Sequence, residues 1–212
     1  MLTGLRTHTI RWFTARLALG LAACGPGCLQ AAVLELRVAD AAGAPLGDAV
    51  ALLEPVGVKA TVRPMEAVEI SQSKRRFNPR VTLITTGTRV TFPNFDTVRH
   101  QVYSFSPIKT FEIKLYAGVP GVPVVFDLPG IAVLGCNIHD SMAAWVVVSD
   151  TPWAARSGPD GRIRIEGVPA GAYRLRTWHP GLATGTDPAA LALTIGTADV
   201  ALPLQLPVKD EP

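Results

Sequence analysis

The sequence predicts an all-β protein, on two main observations. Apolar and polar residues alternate in short runs, as at residues 33–38, which is the pattern of a half-buried strand. Glycine and proline are abundant and scattered, with 19 Gly and 18 Pro, which favours short strands joined by turns over long helices. The length beyond residue 31 suits one large or two small domains with an ordinary core.

Residues 1–31 have the composition of an export signal. Three arginines precede a short apolar stretch at residues 17–24, which is too short to span a bilayer stably. Two fates remain open, because cleavage after residue 31 suits a signal peptidase, whereas residues 21–24 resemble a lipobox in which Cys24 becomes lipidated. We therefore expect a periplasmic protein, either soluble or carrying a lipid anchor at Cys24, and no transmembrane span.

The formal net charge of +3 belongs to this leading segment. It holds three Arg and no acidic residue, so the remaining chain has a net charge of 20 − 3 − 17 = 0. The basic run Lys74-Arg75-Arg76 has no interleaved aromatic residues and is interpreted as a solvated loop. We therefore expect no nucleic-acid partner and no polybasic membrane surface.

Strand patterns occur at both ends of the remaining chain. Residues 33–38 and 49–53 flank a turn rich in Gly and Pro, and together predict a hairpin. Further strands are predicted near the C-terminus, separated by glycine-rich turns, at residues 162–165, 173–178, 191–195 and 200–206.

Between these ends, residues 63–150 predict a compact antiparallel β-domain. Turn signals at residues 87–88 and 127–130 separate runs of strand-forming residues, and so many short strands favour a small sandwich. The eight predicted strands are residues 68–70, 81–85, 89–92, 100–105, 110–115, 122–126, 131–134 and 144–149.

Two motifs outside this domain resemble the carboxypeptidase regulatory-like, or prealbumin-like, β-sandwich. Residues 40–49 match its pattern D-x-x-G-x-P-L-x-x-A, and residues 160–175 match D-G-x-x-x-I-x-x-V-P-x-G-x-Y-x-L. The resemblance implies one small sandwich built from residues 33–62 and 151–207 and interrupted by residues 63–150. Residues 208–212 are then a tail.

Metal donors are concentrated in residues 136–142. Cys136, His139 and Met142 fall within seven residues, although the chain beyond residue 31 holds one Cys, two Met and three His. A single cysteine in an exported protein is prone to oxidation unless it is bound. A thiolate, two imidazoles and a weak thioether form a mononuclear blue-copper site, and His100 is predicted to supply the second imidazole.

Each of these residues also has a structural interpretation. Cys136 suits a buried thiol and Met142 suits core packing, but the complete set of four favours a metal. His179 is expected to be structural or on the surface, because the copper plane is complete without it. Met65 is expected in the core.

Motifs in the middle segment carry a second resemblance. Residues 77–79, 87–94 and 100–102 match F-x-P, G-T-x-V-x-F-x-N and H-x-V, and Cys-x2-His-x2-Met is the short amicyanin-like loop. With these motifs, residues 65–150 resemble the cupredoxins, most closely amicyanin and the methylamine utilization group. The resemblance implies a Greek-key β-sandwich holding one type 1 copper ion.

The amicyanin-like pattern also places Asn94 six residues before His100. The Asn94 side chain is then expected to bond the backbone at Asn137 and so tie the two ligand loops together. Two residues depart from the pattern. Asp140 stands where the amicyanin-like loop has Pro, and the strand before Cys136 lacks the common aromatic residue.

The sequence therefore predicts a periplasmic carrier of single electrons, similar to methylamine utilization proteins, with a cytochrome c or a dehydrogenase as partner. The alternative is a copper-binding assembly, storage or structural module, which the additional sandwich favours. An enzyme is not expected, since the chain lacks the further His clusters of multicopper enzymes, a second loop cysteine and a Ser-His-Asp set.

Overall fold

The computed structural model describes residues 31–183 and 189–208, and these residues are all-β, as predicted. They form seventeen strands and no helix. The strands are β1 (Ala32–Ala39), β2 (Val50–Pro55), β3 (Val68–Glu69), β4 (Ser71–Ser73), β5 (Arg76–Asn78), β6 (Val81–Thr85), β7 (Thr88–Thr91), β8 (His100–Ser106), β9 (Lys109–Tyr116), β10 (Val124–Phe126), β11 (Gly130–Gly135), β12 (Ala143–Ser149), β13 (Ala154–Arg156), β14 (Arg162–Val168), β15 (Gly171–Trp178), β16 (Ala189–Ile195) and β17 (Val200–Gln205).

Nearly all of the predicted export signal, including Cys24, lies outside the described residues, as does most of the predicted tail at 208–212. Within the ranges that are described, no helix is long and apolar enough to cross a membrane.

The first sandwich uses strands from both ends of the described chain. One sheet has the order β14-β1-β17 and the other has the order β13-β2-β15-β16. Alternate residues of β1 point into the space between them, and Leu34 and Leu36 are at most 1% exposed. They pack with Leu53, Ile163 and Leu175 in one apolar cluster, and full burial of such a side chain contributes about 1.5–3 kcal/mol.

The predicted hairpin of β1 and β2 is wrong. Strand β1 pairs with β14 on one edge and with β17 on the other, so neither edge is free for β2. Strand β2 instead pairs with β13 and β15 in the facing sheet. The turn at residues 43–48 therefore carries the chain from one layer to the other.

The second sandwich is built from β3 to β12. A five-stranded sheet, β6-β12-β11-β8-β9, faces a three-stranded sheet, β10-β7-β3, and the hairpin β4-β5 lies beside them. Ile84, Phe92, Val102, Phe126 and Leu134 are buried in the cluster between the layers. The pairs β6–β12 and β3–β7 are parallel, so the domain is not purely antiparallel as predicted.

Three strands were not predicted: β4, β5 and β13. Each has only three residues, and β5 begins with Arg76, within the basic run that was interpreted as a loop. Strands this short give too few residues for an alternating pattern to be recognised.

A third apolar cluster joins the two sandwiches. Val81 and Val147, on the outer face of the five-stranded sheet, pack against Val50 and Trp178 of the four-stranded sheet. The Trp178 ring lies 6.4 Å from the ring of Trp145. The proposed domain boundaries near residues 62 and 150 stay predictions.

Candidate metal centre

The ends of two neighbouring strands bring the predicted ligands together. Strand β8 begins with His100, Cys136 directly follows β11, and Gly135 of β11 pairs with Tyr103 of β8. The loop at residues 137–142 then leads into β12. A hydrogen bond of 2.9 Å from the Met142 N–H to the His139 carbonyl folds this loop back on itself.

His100, Cys136 and His139 converge on one point. One ligand atom of each lies within 4.8 Å of the other two. The Cys136 Sγ is 3.9 Å from His100 Nδ1, a distance that suits two donors of one metal, since bonds to nitrogen and sulfur measure about 2.0 and 2.3 Å. The two imidazole rings are 5.1 Å apart at an angle of 61°.

The ring of His139 shows that this arrangement fits a metal. Its Nδ1 atom is buried and has no hydrogen-bond partner. Buried polar atoms are nearly always satisfied, so an unpartnered nitrogen beside a thiol and a second imidazole marks a ligand position. One soft sulfur with two imidazoles is the equatorial donor set of a blue-copper site.

The fourth predicted ligand, Met142, is 2% exposed and lies in the same apolar cluster as Cys136, which is 3% exposed. The Met142 side chain is therefore buried together with that of Cys136, and its binding to a metal stays a prediction. His100 is completely buried, and His139 is only partly buried, so the centre is nearest to solvent at His139.

The strand before Cys136 lacks an aromatic residue, but the neighbouring strand supplies one. A Cβ atom at Gly135 would lie 2.6 Å from Cζ and Oη of Tyr103, so the tyrosine ring covers the glycine. Tyr103 and Phe105 then form one wall of an open cleft of about 480 Å³. Cys136, Asp140 and Met142 also line this cleft.

Sequence reasoning missed Asp96. Its Oδ2 atom is 2.8 Å from His100 Nε2, and the backbone N–H groups of Lys74 and Arg75 donate to its two oxygens at 2.7 and 2.9 Å. Partial burial alone raises the pKa of Asp96, but hydrogen bonds from Arg75, His100 and Lys74 outweigh it and hold that pKa below its usual value. No sequence pattern distinguishes Asp96 from the other acidic residues, because its role depends on the backbone of the turn at Lys74 and Arg75.

The expected bond from Asn94 to the backbone at Asn137 is not formed. Asn94 Nδ2 donates to the carbonyls of Val98 and Tyr116 at 2.9 and 3.0 Å. Its Oδ1 accepts from the Asp96 N–H at 2.9 Å. These bonds join Asn94 only to the segment before His100 and to strand β9. Asn94 therefore shapes that segment and does not tie the two ligand loops together. Asn137 is exposed.

A partly buried tyrosine stands opposite His100 in the sheet. Tyr116 pairs with His100 across β8 and β9, and its hydroxyl donates to the Phe92 carbonyl and accepts from Gln72. Burial raises the pKa of Tyr116 to about 12, the Gln72 bond opposes the rise and the nearby Cys136 adds to it. The phenol therefore stays neutral at physiological pH.

His179 and Met65 lie apart from the centre. His179 is 7% exposed, with Nε2 3.0 Å from the Gly47 carbonyl and Nδ1 accepting from the Gly181 N–H at 3.0 Å, which favours the structural interpretation. Met65 was expected in the core but is 46% exposed, because it precedes β3 in an irregular surface segment. Asp140 is exposed at the rim of the cleft.

Comparison with known proteins gives structural matches only. No family model matches the chain, and no curated protein matches it. A Cu-containing nitrite reductase from Thermus scotoductus SA-01 is 25% identical with a TM-score of 0.37, over 45% of this chain and 25% of its own. This chain thus spans about a quarter of that protein.

Two smaller proteins are matched over nearly their whole length. A purple cupredoxin from Nitrosopumilus maritimus is 23% identical with a TM-score of 0.35, over 39% of this chain and 100% of its own. A variant of amicyanin, in its reduced Cu(I) form at pH 4, is 18% identical with a TM-score of 0.36, over 46% of this chain and 97% of its own.

Proposed function

We propose that this protein is a periplasmic cupredoxin that carries single electrons on one type 1 copper ion. The convergence of His100, Cys136 and His139, with an unpartnered buried nitrogen on His139, is the observation that supports it. A cytochrome c or a periplasmic dehydrogenase is the proposed redox partner, and service in methylamine utilization is part of the same proposal.

Copper bound there would supply one-electron chemistry between Cu(I) and Cu(II). The chain contributes a fixed donor set, because His100 and Cys136 stand at the ends of paired strands and cannot move far without breaking the sheet. Their burial keeps water away from the sulfur. His139 is partly buried and adjoins the exposed Ile138, so the loop offers a partner an apolar contact beside a ligand.

Copper loading tests the proposal. We expect one copper per chain and an intense thiolate-to-copper absorption band, which Cys136→Ala abolishes because the thiolate is its source. His179→Gln is the matched control, since both nitrogens of His179 bond the backbone away from the centre, and it should keep the band. A well-folded wild-type protein that binds no stoichiometric copper would contradict the proposal.

The cleft beside Cys136 and Met142 favours a second function, which is copper delivery or storage without an electron-shuttle role. Cys136 and Met142 line this cleft, so an acceptor docked there would lie beside two residues of the proposed site. Transfer of Cu(I) from the loaded protein to a copper-free acceptor would favour this function. Fast, reversible one-electron exchange with a cytochrome c would favour the electron carrier.

A further inference from the structure

We infer that Asp96 is a positioning residue for the metal centre, held by the backbone of the Lys74-Arg75 turn, and that it lowers the reduction potential through His100. The inference rests on the proposed copper function and deepens it, because it names the group that tunes the site.

The carboxylate of Asp96 is fixed by three donors. The Lys74 and Arg75 N–H groups occupy Oδ1 and Oδ2 at 2.7 and 2.9 Å, and His100 Nε2 lies 2.8 Å from Oδ2. Only 17% of the Asp96 side chain is exposed, whereas the His100 side chain is fully buried. A carboxylate bonded in this way has one orientation relative to the imidazole.

The two turn residues owe this role to their backbone. Lys74 and Arg75 have φ angles of 54° and 57°, and they form the two-residue connection between β4 and β5. L-residues reach this left-handed region only at a cost in conformational free energy. Successive N–H groups in such a turn can point to the same side and bind an anion, and here the anion is a side chain of the same protein.

The contact with Asp96 determines how His100 presents its other nitrogen. A proton on Nε2 that is donated to the carboxylate leaves the lone pair on Nδ1, the atom 3.9 Å from Cys136 Sγ. Carboxylate bonding also makes a ligating imidazole a stronger donor. The stronger donor and the negative charge of Asp96 both stabilise the more highly charged oxidised metal, so the reduction potential falls.

The test compares two carboxylates near the centre. Asp96→Asn and Asp140→Asn each remove one negative charge, but only Asp96 bonds a ligand. In copper-loaded protein we expect the reduction potential to rise in both variants and to rise clearly more in Asp96→Asn. Asp96→Glu, which keeps the charge, should lie nearer to the wild-type potential than Asp96→Asn. An equal shift in the two Asn variants would overturn the inference.

A second measurement needs no copper. In copper-free protein, amide hydrogen exchange at Lys74 and Arg75 should accelerate about tenfold or more in Asp96→Asn, because a hydrogen bond to a charged acceptor weakens. In Asp140→Asn the exchange rate of these two amides should stay at the wild-type value. An unchanged exchange rate in Asp96→Asn would contradict the hydrogen bonds from Lys74 and Arg75 to Asp96. If the wild-type protein binds no copper, the proposed function is wrong, and so is the effect of Asp96 on the reduction potential. If the copper-loaded Asp96→Asn and Asp140→Asn variants have equal reduction potentials, only the effect of Asp96 is wrong.

Discussion

At the scale of single residues, His100 illustrates how the centre is held. Nε2 of His100 contacts Asp96, and Nδ1 lies 3.9 Å from Cys136 Sγ. The two contacts together fix the orientation of the ring. The partly exposed His139 has no such support on its buried Nδ1. We therefore expect His139 to be the more mobile of the two histidines in the copper-free protein.

Gly161 lies in a turn that has no space for a side chain. Its φ is 71°, and an added Cβ would lie 2.3 Å from the Val38 carbonyl oxygen. Because the backbone conformation disfavours a side chain and the Val38 carbonyl leaves no space for one, Gly161→Ala should lower the free energy of unfolding by roughly 2–5 kcal/mol, measured by urea denaturation.

Gly43→Ala is the matched control for this prediction. Gly43 has a φ of 91° and no atom within 4 Å of an added Cβ, so only the conformational cost of about 1–2 kcal/mol applies. Equal losses of stability in the two variants would contradict the role given to the Val38 carbonyl.

The convergence of His100, Cys136 and His139 was predictable from the sequence, whereas the residues that support them were not. Cys136 and the histidines are scarce donor types, so their spacing alone was informative. Asp96 is one of 17 acidic residues, and its role depends on a turn whose backbone conformation no pattern revealed. Tyr103 covers Gly135 from a neighbouring strand, a contact that local sequence cannot show.

At the scale of elements, the β4-β5 hairpin connects an exposed turn to the metal centre. Its two turn residues have positive φ angles, and their N–H groups bond Asp96. The side chains of Lys74 and Arg75 take no part in these bonds. The backbone conformation is therefore what the hairpin contributes.

Replacing Lys74-Arg75 with Asn-Gly tests whether the turn acts through its backbone conformation. Lys74→Asn with Arg75→Gly should raise the free energy of unfolding by about 1 kcal/mol, because these residues suit a type I′ turn, and the N–H donors to Asp96 remain. Arg76→Gly, in β5, should instead lower it by about 0.5–1 kcal/mol. Urea denaturation measures both, and a loss of stability in the Asn-Gly variant would contradict the turn's conformation.

Strand positions were predicted more reliably than strand partners. Alternation in β1 shows which face is buried, but it does not specify which strand lies alongside. Local patterning therefore predicts a β1–β2 hairpin, although both edges of β1 are occupied by β14 and β17. Pairing with β17 joins residues about 166 positions apart, which no local signal indicates.

At the scale of the whole molecule, the two sandwiches share a cluster of apolar residues. Val147 and Val81 of the metal-bearing sandwich contact Trp178 and Val50 of the other. The connection between β12 and β13 is also held to β2, because the Thr151 hydroxyl donates to the Leu53 carbonyl at 2.8 Å. We therefore expect the two sandwiches to unfold together.

Trp178→Ala tests this coupling. Loss of the buried ring should lower the free energy of unfolding by about 3–5 kcal/mol and separate the thermal loss of copper absorption from the loss of β-sheet circular dichroism. Trp153→Ala is the control, because Trp153 packs against the core of the first sandwich and not in the shared cluster. Coincident transitions in Trp178→Ala at the wild-type temperature would contradict the coupling.

His100, Cys136 and His139 together form the proposed site for one copper ion. X-ray absorption at the copper edge of the loaded protein tests it most directly, because it identifies the atoms bound to the metal. We expect one short sulfur neighbour and two nitrogen neighbours per copper, with the sulfur lost in Cys136→Ala. A copper ion with only nitrogen and oxygen neighbours in the wild-type protein would contradict the account.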